Sequence, residues 1–327
     1  MKRVLILTEA GQNIGYGHLM RCRALQDYFV SQGIETLVLL NYFGDIQCKG
    51  NNSIRFIDWL IEIEEVVKYS NIFEFVIIDS YLAPVEYYEF LKSNFGRVIA
   101  IDDYNRIEYP VDLLLNTNIY GDSLDYSNQH ARTVGGSQYV ILRESIKNGR
   151  NTFKINDFIG KVLVMFGGSD YRGIMPGLIE SIYKDGYSII AVAGSDEYKK
   201  RLLALLPKSD RIKIAGFADD NEMVKLFTEI DVAITAAGQT LNELAYLGIP
   251  AISVCIDKDQ FLNIKTYHER GFLLDLICWD DKELKSKILE QLNNIKKTSL
   301  RIKLSETGRT IVNGTGKENI LNLFKTL

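Results

Sequence analysis

Short apolar runs alternate with helical patterns along nearly the whole chain of 327 residues. Val4–Leu7 and Phe75–Asp79 are typical of the apolar runs, and His18–Gln32 is typical of the helical segments. Strands that alternate with helices form parallel sheets, because each helical crossover returns the chain to the same end of the sheet. The alternation therefore predicts an α/β fold with parallel strands.

A polar segment at Lys147–Thr152 interrupts the alternation, and the same scheme then begins again. The predicted strands are Val4–Leu7, Thr36–Leu40, Phe75–Asp79, Arg97–Ile101, Leu113–Asn116, Val162–Phe166, Ser188–Ala193, Ile212–Ala215, Val232–Thr235 and Ala251–Cys255. The predicted helices include His18–Gln32, Ile57–Tyr69, Val85–Asn94 and Met175–Lys184. We therefore predict two Rossmann-like domains facing each other across a cleft, residues 1–150 and 151–327, with a last helical stretch that can cross back to the first.

The composition is that of an ordinary globular protein, with 46% hydrophobic residues, 24% charged residues and a net charge of −4. A nucleic-acid-binding surface needs a basic face, so this charge argues against such a partner. No apolar run approaches the roughly 20 residues of a membrane span, and the N-terminal residues lack the layout of a signal peptide. The four cysteines share no close spacing, which argues against a zinc site or a disulfide framework. We expect a cytoplasmic monomer.

Gly15 and Gly17 flank Tyr16 directly ahead of His18, at a turn between the first strand and the first helix. Glycines in such a turn let the backbone approach a ligand, and the free N–H groups of a helix start attract anions. A neutral imidazole beside a bound phosphate can accept a proton from water near pH 7. His18 is therefore a candidate base, and a polar helix cap is the alternative interpretation.

Two glycine-bearing turns of the second half, at residues 167–169 and 238–240, resemble diphosphate-binding turns. Each follows a predicted strand and can point backbone amides at an anion. Glu243 lies one turn into the helix that follows, where it can accept hydrogen bonds from ribose hydroxyls or simply favour the helix dipole. A loop at Phe217 fits a nucleobase, or is only a turn. The predicted nucleotide-binding residues are Gly167, Gly168, Ser169, Phe217, Gly238, Gln239, Thr240 and Glu243.

Several strands of the first half end in polar residues, and the carboxyl ends of parallel strands form the ligand crevice of open α/β sheets. Asp79, Ser80 and Tyr81 follow one strand, Asp102 and Asp103 follow the next, and Asn116 ends another. Buried acids that cap neighbouring helices would give the same pattern. Adjacent acids on a strand point to opposite faces, and no acidic triplet of the D-x-D kind is evident, so we expect neither a metal nor a cofactor.

The chain resembles the PseG-type UDP-2,4-diacetamido-2,4,6-trideoxy-β-L-altropyranose hydrolases of bacterial pseudaminic acid synthesis, which are related to the MurG glycosyltransferases and have the two-domain GT-B fold. The similarity runs nearly end to end. The matching segments are Ile14–His18 with Arg21, Ile77–Asp79 with Tyr81, Asp102–Asp103, Leu114–Asn116 with Asn118, Tyr139, Leu142–Glu144, Gly167–Asp170, Asn242–Glu243, and Gln260 with Gly271.

The resemblance implies a hydrolase that attacks the anomeric carbon of a UDP-linked sugar with water and expels UDP with inversion. It implies that His18 is the catalytic base and that Tyr81 is its neighbour in the sugar pocket. The sugar-binding residues that it implies are Gly17, Arg21, Asp103, Asn116, Asp259 and Gln260.

Three positions depart from the family pattern, and all three fall at the sugar end. The family's R-x-D triplet is Leu7–Glu9 here, a histidine often found between the aspartate and the tyrosine is Ser80, and an asparagine before the glutamine is Asp259. A UDP-sugar is therefore a firmer expectation than any particular sugar. A GT-B glycosyltransferase that uses a UDP-sugar donor and a non-catalytic nucleotide-sugar-binding protein remain alternatives.

Overall fold

The computed structural model describes residues 3–11, 14–43, 53–167, 170–216 and 218–327 of the chain. The chain divides into two compact units, one formed by Met1–Leu142 with Gly314–Leu327 and the other by Arg143–Asn313. The boundary between the two units thus follows Leu142, whereas the sequence predicts a boundary after residue 150. The C-terminal segment belongs to the first unit.

The first unit is built on a parallel sheet that has seven strands within the described residues. Its strands are β1 (Arg3–Gly11), β2 (Glu35–Phe43), β3 (Ile54–Phe56), β4 (Phe75–Asp79), β5 (Arg97–Ile101), β6 (Leu113–Asn116) and β7 (Arg132–Gly135). Its first helices are α1 (Gly17–Ser31), α2 (Ile63–Val67) and α3 (Val85–Asn94). The strand order is β3-β2-β1-β4-β5-β6-β7, so the winding of the sheet reverses between β1 and β4.

The second unit repeats this scheme on a parallel sheet with six strands in the described ranges. Its strands are β8 (Lys161–Met165), β9 (Ser188–Val192), β10 (Ile212–Ala215), β11 (Val232–Ala236), β12 (Ala251–Cys255) and β13 (Ile277–Cys278). Its helices are α4 (Glu144–Asn148), α5 (Met175–Lys184), α6 (Asp196–Leu205), α7 (Asp220–Glu229), α8 (Gln239–Leu247), α9 (Phe261–Glu269), α10 (Leu284–Asn294) and α11 (Thr298–Ile311), and α12 (Gly316–Leu323) follows in the first unit. The order is β10-β9-β8-β11-β12-β13. The predicted parallel α/β fold is confirmed.

Burial on both faces of the central strands explains why they are apolar without interruption. Along β1, Val4 and Ile6 pack in the core layer that contains residues of α1 and α12. Leu5 and Leu7 point the other way, into the layer that contains Trp59 and residues of α3. Helices cover both faces of a parallel sheet, and this cover requires apolar residues at every position rather than at every second one.

The predicted helix Ile57–Tyr69 is wrong in extent, because helix α2 covers only Ile63–Val67. The side chains of the preceding residues are held by tertiary hydrogen bonds. Trp59 is fully buried and its Nε1 donates to the Thr8 carbonyl over 2.8 Å, while Asn41 Nδ2 donates to Asp58 Oδ1 over 3.0 Å. The short strands β3, β7 and β13 were also missed, since each has too few residues for a clear period. Within the described ranges, no helix combines the length and the apolar character that crossing a bilayer requires.

Gly248 ends helix α8 in the left-handed region, at φ +75°, and a Cβ atom there would lie 2.4 Å from Arg309 Nε and 2.5 Å from Ser305 Oγ. Gly248→Ala therefore combines a backbone cost of roughly 1–2 kcal/mol with a steric clash. We expect it to lower the free energy of unfolding, measured by urea denaturation, by more than Gly271→Ala does. Gly271 is the matched control, because its φ is +78° and an added Cβ meets no atom of the described residues within 4 Å. Equal losses for both variants would contradict the steric argument.

Candidate functional site

The reversal of strand order between β1 and β4 places one candidate site at the carboxyl edge of the first sheet. Open α/β sheets bind ligands at such a reversal. Thr8 of β1 is in register with Asp79, the last residue of β4. The turn after β1 contains Gly15 at φ +80° and leads into α1, which begins at the exposed Gly17 and presents His18 in its first turn.

Asp79 is the acceptor around which this site is organised. Its carboxylate is completely buried and lies 2.7 Å from His18 Nδ1. Arg21 donates to both of its oxygens, from Nε over 2.6 Å and from Nη2 over 2.5 Å, and Cys22 Sγ donates over 3.4 Å. Burial raises the pKa of Asp79, but the charges of Arg21 and His18 outweigh it and hold the pKa well below its usual range. Asp79 is therefore ionised near neutral pH.

An ionised Asp79 fixes the tautomer of His18. A carboxylate only accepts hydrogen bonds, so Nδ1 of the ring must carry the proton that faces Asp79, and Nε2 of the neutral ring holds the lone pair. Burial lowers the pKa of His18, whereas Asp79 raises it by charge and by hydrogen bonding, and the net result is a raised pKa. The Tyr81 ring meets the imidazole edge-on, with ring centroids 4.3 Å apart. The geometry is that of an oriented general base.

A second layer of hydrogen bonds connects the predicted sugar-binding residues to this pair. Arg21 also donates to Asp103, from Nη1 over 2.7 Å and from Nη2 over 3.0 Å, and the Tyr81 hydroxyl donates to Asp103 Oδ2 over 2.5 Å. Asn118 Nδ2 donates to Asp103 Oδ1 and to Asn116 Oδ1, over 2.6 and 3.1 Å. Burial raises the pKa of Asp103, but the charge and hydrogen bonds of Arg21 lower it by more, and the net result is a lowered pKa. This carboxylate is therefore also ionised.

Glu9 is a member of this cluster that the sequence did not assign to the site. Its buried carboxylate accepts from Ser80 Oγ over 2.5 Å and from the Tyr81 backbone N–H over 2.7 Å. Burial raises the pKa of Glu9, and the two hydrogen bonds partly offset this rise. Two of the three positions that depart from the family pattern, Glu9 and Ser80, are therefore in direct contact and shape the backbone at Tyr81.

Asp102 and Asp103 have separate partners, as their opposite faces predicted. Asp102 accepts from the hydroxyls of Tyr109 and Tyr126, over 2.8 and 2.7 Å, and from two backbone N–H groups of the loop that follows. Tyr126 in turn accepts from Asn116 Nδ2 over 2.9 Å. Among the residues that the structure describes, no three histidine, cysteine or acidic side chains form a group that could hold a metal ion.

The first glycine turn of the second unit follows β8. Gly167 adopts φ +64°, whereas Gly168 and Ser169 lie outside the described residues, as does Phe217 of the predicted nucleobase loop. Asp170 caps α5, since it accepts from the N–H groups of Ile174 and Met175 over 3.0 and 2.8 Å. This contact anchors the turn at its C-terminal side.

The second turn lies at the end of β11, next to β8 in the sheet, where the winding of the second sheet reverses. Gly238 is the N-cap residue of α8, which begins with Gln239 and Thr240, and a glycine has no side chain with which to cap the helix. Asn263 Nδ2 donates to the Ala237 carbonyl over 2.7 Å, which ties α9 to the turn. Gln260, the residue before α9, accepts from the Ile256 N–H over 3.3 Å, and Asp259 beside it is exposed.

Glu243 is held by an arginine that the sequence did not assign to the site. Its carboxylate is 1% exposed and receives two hydrogen bonds from Arg143, from Nε over 2.7 Å and from Nη2 over 2.6 Å. Arg143 Nη1 also donates to Asp220 Oδ1 over 2.8 Å. Each carboxylate oxygen has a second lone pair, so the ribose contact stays a prediction, now with Arg143 fixing the orientation of the acid.

Known proteins resemble the chain along most of its length. Residues 161–318 match the model of the "Glycosyltransferase family 28 C-terminal domain". The spore coat polysaccharide biosynthesis protein SpsG of Bacillus subtilis is 22% identical over 98% of this chain and 97% of its own length. The UDP-2,4-diacetamido-2,4,6-trideoxy-β-L-altropyranose hydrolase of Campylobacter jejuni is 24% identical over 83% of this chain and 97% of its own. The resemblance found in the motifs is confirmed.

Solved structures support the same fold. The crystal structure of MurG from Acinetobacter baumannii superposes with a TM-score of 0.67 over the whole of both chains, at 14% sequence identity. This similarity, together with the two parallel sheets, confirms the predicted GT-B fold. The chain is therefore a GT-B protein and a homologue of SpsG and of the C. jejuni hydrolase, with a C-terminal half that matches glycosyltransferase family 28.

Proposed function

We propose that the chain is a UDP-sugar hydrolase of bacterial surface polysaccharide synthesis. The observation that carries the proposal is the buried pair of His18 and Asp79, which leaves Nε2 of the imidazole as a proton acceptor. Homology supports the substrate class, because the C. jejuni relative is named as a hydrolase of a UDP-linked diacetamido-trideoxy sugar and SpsG as a polysaccharide biosynthesis protein. We propose a UDP-linked amino or deoxy sugar, such as a precursor of pseudaminic acid, as the substrate.

In the proposed reaction, water attacks the anomeric carbon of the sugar. His18 Nε2 takes one proton of that water as the new carbon–oxygen bond forms. The bond between the anomeric carbon and the β-phosphate oxygen breaks, and its electron pair leaves with UDP. The Asp79 carboxylate stabilises the imidazolium that results, as the acid of a catalytic triad does.

We assign the UDP to the second unit. The N-terminus of α8 offers amide donors and a positive dipole end to the diphosphate, which stabilises its charge as the bond breaks. Glu243, oriented by Arg143, accepts from the ribose hydroxyls. Arg21, Asp103 and Tyr81 belong to the sugar side of the proposal, as do Asp259 and Gln260 of the second unit.

Glycosyl transfer is the second candidate, and the match to a glycosyltransferase family over residues 161–318 favours it. In that case an acceptor hydroxyl takes the place of water, while His18 keeps its role. The two candidates differ in one measurable respect. A hydrolase releases UDP without an acceptor, whereas a transferase releases it only when an acceptor is added.

The first test is UDP release from UDP-2,4-diacetamido-2,4,6-trideoxy-β-L-altropyranose, followed by ³¹P NMR without an acceptor. We expect His18→Asn to lower kcat by about 10²- to 10⁴-fold, the usual contribution of a general base, and to leave UDP affinity nearly unchanged. His130→Asn is the control, because His130 lies in the same unit with a side chain that is 93% exposed. A His18→Asn variant that lost UDP affinity and kept its kcat would refute the assignment.

The pH dependence of kcat tests the role of Asp79. His18 acts as a base only when it is neutral, so kcat should rise with pH through a midpoint above the ordinary 6.5 of histidine. Asp79→Asn removes the charge that does most to raise the pKa of His18. Burial and the charge of Arg21 then lower this pKa, opposed by the smaller raising effect of Asp103. We therefore expect a lower kcat and a midpoint moved to lower pH. Asp112→Asn, in the same unit, should leave the midpoint in place, and an unmoved midpoint in Asp79→Asn would contradict the proposal.

The ribose role of Glu243 is tested by calorimetric titration with UDP and 2′-deoxy-UDP. If Glu243 accepts from the 2′-hydroxyl, the unaltered protein should bind UDP about tenfold more tightly than the deoxy analogue, and Glu243→Ala should abolish most of that preference. Asp220→Ala is the control, since it also removes a partner of Arg143. Loss of the preference in both variants would show that Arg143, rather than Glu243, contacts the ribose.

A further inference from the structure

Arg172 is an arginine of the second unit that none of the assignments above uses. It lies in the loop between β8 and α5, two residues beyond Asp170, which anchors that loop to α5. Its Nε donates to the Ile256 carbonyl over 3.0 Å. Ile256 directly follows β12, so the side chain connects the ends of two different strands.

The topology of the sheet shows what this connection spans. Strands β8, β11 and β12 are neighbours in that order, and β11 leads into Gly238 and the start of α8. The contact of Arg172 with Ile256 therefore joins the loop after β8 to the end of β12, the two strands that flank β11. The Tyr171 hydroxyl makes the same connection, 2.9 Å from the Ile256 carbonyl and 2.6 Å from Asp257 Oδ2.

Two aromatic rings hold the guanidinium group in place. Its central carbon lies 3.8 Å from the centroid of the Trp279 ring, which follows β13, and 4.7 Å from that of Tyr171. Both rings are partly exposed, at 41% and 55%. Stacking on aromatic faces orients an arginine before any ligand arrives, so less conformational entropy is lost on binding.

Within the described part of the chain, no carboxylate forms an ion pair with Arg172. Asp257, an acid of the neighbouring loop, accepts instead from Tyr171 and from the backbone N–H of Lys258. The guanidinium of Arg172 bonds the Ile256 carbonyl through its inner nitrogen Nε and also hydrogen-bonds the Tyr171 hydroxyl. A guanidinium carries five N–H donors, so further donors on its terminal nitrogens remain for another acceptor. A guanidinium that is held by two rings and a carbonyl, with no carboxylate partner among the described residues, is a binding element for an anion.

We propose that Arg172 binds the β-phosphate of a nucleoside diphosphate or of a sugar linked to one. We choose the β-phosphate rather than the α-phosphate because Arg172 contacts Ile256. The N–H of Ile256 donates to Gln260, which is one of the two residues of the second unit assigned to the sugar. An arginine that contacts that loop therefore lies towards the sugar end of a diphosphate. This inference rests on the proposed function for the identity of the nucleotide, and it extends that function by naming the cation that holds the leaving group.

Calorimetric titration with UDP, UMP and uridine tests the proposal directly, because only UDP carries the β-phosphate. We expect Arg172→Gln to weaken UDP binding by about tenfold or more and to leave the affinities for UMP and uridine within about twofold. Arg172→Lys should lose part of the UDP affinity, since lysine keeps the charge without the planar fork. Trp279→Leu, which removes the stacking and keeps the arginine, should cause a smaller loss that is again confined to UDP.

Arg211→Gln is the matched control. Arg211 also stacks on a tyrosine, with its central carbon 4.2 Å from the Tyr183 ring, and also donates to a backbone carbonyl. It precedes β10, however, and thus lies at the amino edge of the same sheet. We expect this variant to bind all three ligands as the unaltered protein does.

The results separate this inference from the hydrolase proposal. If the protein binds UDP but turns over no UDP-sugar, and Arg172→Gln still weakens UDP alone, the hydrolase proposal fails and the inference stands. If Arg172→Gln binds UDP normally, or loses UMP and uridine equally, the inference is overturned whatever the turnover shows. Binding of neither UDP nor inorganic pyrophosphate by the unaltered protein would overturn both.

Discussion

The buried carboxylate of Asp79 is the interaction on which the first unit's site depends. It ends the strand at which the sheet reverses its winding, and its donors come from His18, Arg21 and Cys22, all on α1. A buried charge is tolerated only when it is paired and hydrogen-bonded, so this acid fixes the rotation of α1 against β4. The orientation of the imidazole, its tautomer and its raised pKa follow from that single constraint.

Arg21 extends the constraint from one strand to the next. Its guanidinium is shared between Asp79 after β4 and Asp103 after β5, and Asp103 in turn holds the Tyr81 hydroxyl. Two of the three departures from the family pattern belong to the same network, because Glu9 contacts both Ser80 and the backbone of Tyr81. Glu9 and Ser80 are therefore coupled changes, because each is the hydrogen-bond partner of the other.

The second unit uses its arginines in two ways. Arg143 is neutralised by Glu243 and Asp220, so it orients an acid and carries little charge to a ligand. Arg172 is held by aromatic rings and a carbonyl, and no carboxylate of the described residues pairs with it. The difference between the two follows from their partners: carboxylates cancel a cation, whereas rings and carbonyls orient it without cancelling its charge.

The local periods of apolar residues were enough to predict the parallel α/β fold, its repetition in two halves and the strand ends that carry polar residues. Motifs of the sequence also pointed to His18, Tyr81, Arg21 and Asp103. The partners of these groups emerge from the folded chain alone: Asp79 for His18, Glu9 for the Tyr81 backbone, Arg143 for Glu243, and a turn with a buried Trp59 in place of the first half of a predicted helix. These contacts join residues more than 50 positions apart. Local periodicity cannot specify them, since they depend on which strands lie side by side and on which side chains share one buried volume.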